Sequence, residues 1–171
     1  MKTVLSRSDI LFLLRQKPPL VEGFVDLAQQ LQPNGFDLTL QAVATLENDG
    51  RIAASNAERQ ISRASPLDFD SNGYLLLRQG SYLITYNEVV NLPRNLMAMG
   101  APRSSLLRCG VTVHMAVWDA GYSGRSQSLM VVFNPAGFTL QRNARVSQLV
   151  FHQLAADTDA YGGAYQGENK V

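Results

Sequence analysis

A single cysteine, Cys109, excludes any disulfide within the chain and points to a reducing compartment. Its commonest role is that of a small buried core residue. No apolar run approaches the roughly 20 residues that span a bilayer, and no basic segment followed by an apolar block and a cleavage site opens the chain. The expectation is a cytoplasmic protein with no membrane partner. Charge is sparse as well: 17% of residues are charged and the formal net charge is +1, so no basic face is on offer to nucleic acid. The P-loop and the His/Cys zinc signature of base deaminases are both absent, as is any internal repeat. What is present suits one globular domain over residues 1–171, with 46% hydrophobic residues to build a core.

Carboxylates are missing from one long stretch. Between Glu88 and Asp157 there are six arginines and one acid, Asp119, within VHMAVWDAGYSGRSQS. A lone acid on a cationic stretch suits a site that holds a small polyanion and keeps one basic oxygen.

The hydrophobic pattern reads as mainly β. Ser6 or Ser8 caps a short helix through Arg15 with Ile10, Leu11, Leu13 and Leu14 as its apolar face, ended by Pro18-Pro19. Beyond it, Tyr74 to Leu77, Tyr82 to Tyr86, Gly110 to Ala116, Leu129 to Phe133 and Val146 to Leu154 read as strands, being short and rich in β-branched and aromatic residues. Arg78-Gln79-Gly80-Ser81 reads as a tight hairpin turn. Short strands at this spacing predict a sandwich or barrel. The polar segment Glu47 to Asp70 reads as containing a long surface loop.

Five segments carry chemistry: PNGFDLTL (Pro33 to Leu40), PRSSL (from Pro102), WDAGYSGR (Trp118 to Arg125), ARVSQLVF (to Phe151) and AYGGAYQGE (Ala160 to Glu168). In that order they resemble the motifs of the dUTPase and dCTP deaminase superfamily, and most closely its archaeal-type dUTP diphosphatases. The resemblance implies a jelly-roll-like subunit in a homotrimer with sites at subunit interfaces. It also implies Mg2+-assisted hydrolysis of dUTP to dUMP and pyrophosphate.

By the same resemblance Asp119 orients and deprotonates the attacking water, which a general base does from hydrogen-bond reach. Arg103, Ser104, Ser105 and Gln148 hold phosphates, the arginine fork matching phosphate oxygens in charge and geometry. Tyr122 packs on the deoxyribose and leaves no room for a 2'-hydroxyl, while the main chain around Val113, Met115 and Val117 holds the pyrimidine. Asp37 supports the metal through water. The tail 157–171 is a flexible lid, its Tyr161, Tyr165 and Gln166 covering the nucleotide, with either tyrosine available to stack on the base. Ser123 departs from the arginine that many dUTPases carry after the tyrosine. His114, alone on an apolar strand, is read as structural. The rival within the superfamily is dCTP deaminase, or a bifunctional form of it. That chemistry needs a glutamate on the strand after the third motif, and RSQSLMVVFNP has none. A non-catalytic nucleotide-binding protein of the same fold is the rival from another class.

Overall fold

The computed structural model describes residues 3–170. Helix α1, Arg7–Leu13, begins at Ser6, whose hydroxyl accepts from the Asp9 amide while the Asp9 carboxylate accepts from the Ser6 amide at 3.0 Å. This reciprocal cap satisfies two otherwise orphaned donors, and fully buried Ile10 anchors the helix to the body.

The chain then runs through β1 (Val21–Glu22), α2 (Leu27–Gln30), β2 (Leu31–Gln32) and the long β3 (Gly35–Leu46). Next come β4 (Ala64–Pro66), β5 (Tyr74–Leu77), β6 (Gly80–Tyr86), β7 (Val89–Asn91) and β8 (Leu96–Pro102). After α3 (Ser104–Arg108) follow β9 (Val111–His114), β10 (Ser123–Gly124), β11 (Gln127–Val132), β12 (Phe138–Gln141) and β13 (Arg145–Gln153).

The main sheet runs β8-β13-β3-β6-β11-β9, all its pairs antiparallel, with β2 and β4 also bonded to β3. Its ends meet where Ala98 of β8 and Trp118, just past β9, exchange backbone bonds of 2.9 and 3.0 Å. That bridge brings the sheet to a nearly closed barrel and covers part of its edge. Two small sheets, β1-β7-β10 and β12-β5, lie beside it. Phe36, Leu38, Leu40, Ile84, Met130, Leu149 and Phe151 fill the core, all with no exposed surface. Each such side chain contributes about 1.5–3 kcal/mol by its removal from water.

The five strands expected from the sequence are all present. The expected hairpin at Arg78 to Ser81 is not one: β5 pairs with β12 and β6 with β3 and β11, so this turn is a corner between sheets, held by the Tyr82 hydroxyl donating to the Arg78 carbonyl at 2.9 Å. Cys109 is exposed, not buried, because it caps α3 and only its backbone turns back into the helix. The polar segment after β3 forms an ordered arm: Arg51 and Gln60 exchange backbone bonds of 2.8 Å, with a Ser55-capped turn at its tip.

Candidate functional site

A cavity of about 680 Å³ opens where three parts of the chain meet. One wall is the motif segment with Trp118, Asp119 and Tyr122; the second is the tail with Tyr161, Tyr165 and Glu168; the third is the end of β3 and the arm that follows it, through Leu46, Arg51, Ile52 and Ile61. Its size and largely apolar walls with a few convergent polar groups suit a small organic ligand.

The first wall is set by the barrel closure. Trp118 is pinned by its backbone pair with Ala98, and its indole Nε1–H donates to Ser126 Oγ at 2.5 Å. The chain then turns, the Tyr122 amide donating to the Asp119 carbonyl at 3.1 Å. Gly121 has φ +78°, a left-handed conformation that costs a side-chain-bearing residue about 1–2 kcal/mol. A Cβ there would also lie 2.6 Å from the Ala160 Cβ, so Gly121 is the contact point at which the tail can approach. Asp119 is left exposed on the cavity wall. Among the described residues it makes no ion pair: the arginines of its cationic stretch point elsewhere, Arg103 and Arg145 to Asp37 and Arg94 to Asp159.

Tyr122 is buried, its hydroxyl 3.0 Å from Ser126 Oγ and donating to Glu168 Oε1 at 2.9 Å. Its ring meets that of Tyr161 edge to face at 5.8 Å, a favoured aromatic geometry. Burial pushes the Tyr122 hydroxyl above its ordinary range, and burial also raises the Glu168 carboxyl, with the Tyr122 hydrogen bond opposing.

The tail lies docked on its own chain. The Tyr161 amide donates to the Ala120 carbonyl at 2.8 Å, the Gly167 amide to the Ser123 carbonyl at 2.8 Å, and the Arg125 amide to the Glu168 carbonyl at 2.9 Å. Gln166 accepts from the Ser123 amide and donates to the Gly121 carbonyl, both at 2.9 Å. Gln166 therefore latches the tail to the motif loop. The Arg59 guanidinium of the arm sits 5.6 Å over the Tyr165 ring, tying arm to tail.

The expected phosphate residues form a second group that does not line this cavity. Arg103 stands at the N-cap position of α3 without a side-chain capping bond, Ser104 and Ser105 are exposed at the helix start, and Gln148 lies on β13 opposite Asp37 of β3 and Ala101 of β8. Among the expected base-contacting positions Val113 is in the core, Met115 Sδ is packed towards Gly100, and only Val117 lines the cavity. Met115 to Val117 lie beyond the end of β9, outside any strand. His114 is exposed at that strand end.

Asp37 does not fit the metal-supporting role expected of it. Its side chain is 1% exposed, and one carboxylate oxygen accepts from Arg103, from Arg145 at 3.3 Å and from Gln32 at 3.2 Å. Two cations on one oxygen leave little attraction for a third. Among the described residues no cluster of three or more His, Cys, Asp or Glu forms a metal cage. Sequence reasoning missed Glu168 as a wall, Ser126 as the shared partner of Trp118 and Tyr122, and the whole arm. Ser126 follows directly on the third motif, but nothing in the polar arm sequence signals a cavity wall.

Residues 4–154 match a family model described as dCTP deaminase-like. A protein of Methanosarcina mazei named a probable deoxyuridine 5'-triphosphate nucleotidohydrolase is 48% identical over 167 residues, covering 97% of this chain and 98% of its own. A protein of the same name from Archaeoglobus fulgidus is 46% identical over 166 residues, 97% of each chain. A deoxyuridine 5'-triphosphate nucleotidohydrolase of Methanocaldococcus jannaschii is 34% identical over 140 residues, 81% of this chain and 88% of that one. Among solved structures, the 2'-deoxycytidine 5'-triphosphate deaminase of Agrobacterium tumefaciens has the same fold, with a TM-score of 0.66 and 20% identity over 88% of this chain. This chain spans 48% of that structure's length.

Proposed function

This chain belongs to the dCTP deaminase-like family, and from that premise we propose that it is a dUTP diphosphatase. Water attacks the α-phosphorus of dUTP, an O–P bond forms, the bond to the β-phosphate oxygen breaks, and dUMP and pyrophosphate leave. The observation that carries this reading is Asp119, free of ion pairs among the described residues and exposed on the cavity of about 680 Å³ beside Tyr122, in a chain 48% identical to a relative named for that activity. Asp119 takes the proton of the attacking water. Tyr122 lies against the deoxyribose, and Tyr161 and Tyr165 close over the base as the tail comes down.

Arg103, Ser104, Ser105 and Gln148 hold the phosphate chain. Since they do not line their own chain's cavity, the complete site is proposed to form between copies, in a homotrimer whose neighbour supplies the phosphate grip. Exposed Leu76 (61%) and Phe133 (59%) are apolar surface that such contacts can cover. Mg2+ bound to a triphosphate neutralises its oxygens and keeps several waters, so it needs few protein ligands. Deamination is disfavoured because β11, QSLMVV, carries no acid to shuttle protons at the ring.

The test is product analysis by ion-exchange chromatography with dUTP, dCTP, dTTP and UTP in Mg2+. Pyrophosphate and dUMP from dUTP support the reading. Deaminated nucleotide from dCTP, or no turnover of dUTP, refutes it. Light scattering that reports a monomer under active conditions refutes the shared site.

A further inference from the structure

β3 is buried on both faces from Gly35 to Leu40, and the face that carries Asp37 and Thr39 is polar. Arg103 reaches Asp37 from the start of α3, 66 residues along the chain, and Arg145 reaches it from β13, 108 residues along. One carboxylate and two guanidiniums leave this trio with one positive charge in excess (two minus one). Arg103 meets Asp37 through Nη1 alone and makes no other side-chain hydrogen bond among the described residues. Its side chain is 28% exposed, beside exposed Ser104 and Ser105. A guanidinium is a rigid planar fork, so pinning one nitrogen fixes where the remaining N–H groups point. On β13, Gln148 lies directly opposite Asp37 in the β-ladder, so the same position of β3 sets the height of the glutamine.

We propose that Asp37 is a positioning residue that holds Arg103, with Arg145 as counter-cation, so that the free donors of the Arg103 fork face the triphosphate. The proposal rests on the reading of Arg103 as a phosphate-gripping residue. Asp37 touches no substrate itself: it acts by limiting the rotamers of an arginine that would otherwise be ordered at the moment of binding. A buried acid that serves only the fold would act independently of Arg103. One that acts through Arg103 would not.

The experiment is a double-mutant cycle on the full-length protein, measuring kcat and KM for dUTP with Mg2+ and the thermal midpoint of each variant. Arg103→Ala is expected to lower kcat/KM about 10- to 100-fold, the scale of a lost hydrogen bond to a charged group. Asp37→Asn is expected to approach that loss, and the double variant to be no worse than Arg103→Ala alone. A double variant whose loss is the product of the two single losses overturns the proposal and leaves Arg103 a phosphate residue. Unchanged kcat/KM in Arg103→Ala overturns the phosphate reading itself, which the single variant shows without the cycle. Should Asp37→Asn not fold, Arg103→Lys decides: one ammonium held on Asp37 has no fork left for phosphate, so a loss close to that of alanine is expected. Lysine that keeps most of the activity overturns the positioning role.

Discussion

Asp119→Asn separates chemistry from structure more sharply than any other change in this protein. Asp119 is exposed and without an ion pair among the described residues, and the hydrogen bond that shapes its turn is made by its backbone carbonyl to the Tyr122 amide. An asparagine keeps that carbonyl, the side-chain size and one acceptor oxygen. The stability cost should therefore fall within about 0.5 kcal/mol, the range of surface substitutions. The rate should behave otherwise, because removing a positioned general base costs roughly 10² to 10⁴ in turnover. At 1.36 kcal/mol per tenfold this is about 2.7–5.4 kcal/mol of lost transition-state stabilisation. Affinity for dUTP should change little, since the phosphate grip lies on other elements. The assay is single-turnover hydrolysis beside equilibrium binding of a non-hydrolysable dUTP analogue and a thermal melt, all on one preparation. Wild-type turnover in Asp119→Asn would make Asp119 a turn residue only, and the assignment would fall.

Truncation before Tyr161 should leave the fold intact with a modestly lower melting temperature, because among the described residues Tyr161 is the one tail side chain packed against the core cluster while the hydrogen bonds to Ala120, Ser123 and Arg125 are lost with it, and turnover should drop; full-rate hydrolysis by the truncated chain would show that the tail is no lid. Gly121→Ala should lift the tail, since its Cβ would meet Ala160 at 2.6 Å in a left-handed backbone; limited proteolysis should then cut the tail faster, and unchanged protection would refute the contact. Burial raises the Glu88 carboxyl above its ordinary value of 4.5, with donors from Thr39 and Gln30 opposing. The folded protein thus holds this proton to higher pH than the unfolded chain. Glu88 contributes most stability below about pH 4.5 and loses that contribution as pH rises through its raised folded value. Urea midpoints of wild type and Glu88→Gln at several pH values should diverge in favour of wild type as pH falls towards 4.5, and a constant difference would refute the shift.

Local signals were legible where chemistry is local. Ser6 and Asp9 cap α1 from three residues apart, and the short runs rich in β-branched and aromatic residues behind β5, β6, β9, β11 and β13 each bury mainly one face. β3 is not among the strands read from the sequence: Phe36, Leu38 and Leu40 alternate with Asp37 and Thr39, which by itself would put the two polar residues on a solvent face, whereas both faces are covered there. The corner at Arg78 to Ser81 was misread because turn residues specify a change of direction but not which strand the chain pairs with next. The motif residues were legible by type, since a carboxylate, a guanidinium fork and paired glycines suit few other tasks in that order. Their grouping was not. Asp119, Tyr122 and Tyr161 share a cavity because the tail bonds to Ala120 and Ser123, whereas Asp37, Arg103 and Arg145 meet because β3, β13 and the start of α3 adjoin across the barrel wall. Sequence sets what each side chain can do through its charge and shape. Only the long-range pairing of strands, whose energy comes from burial shared between distant segments, decides which of them stand together.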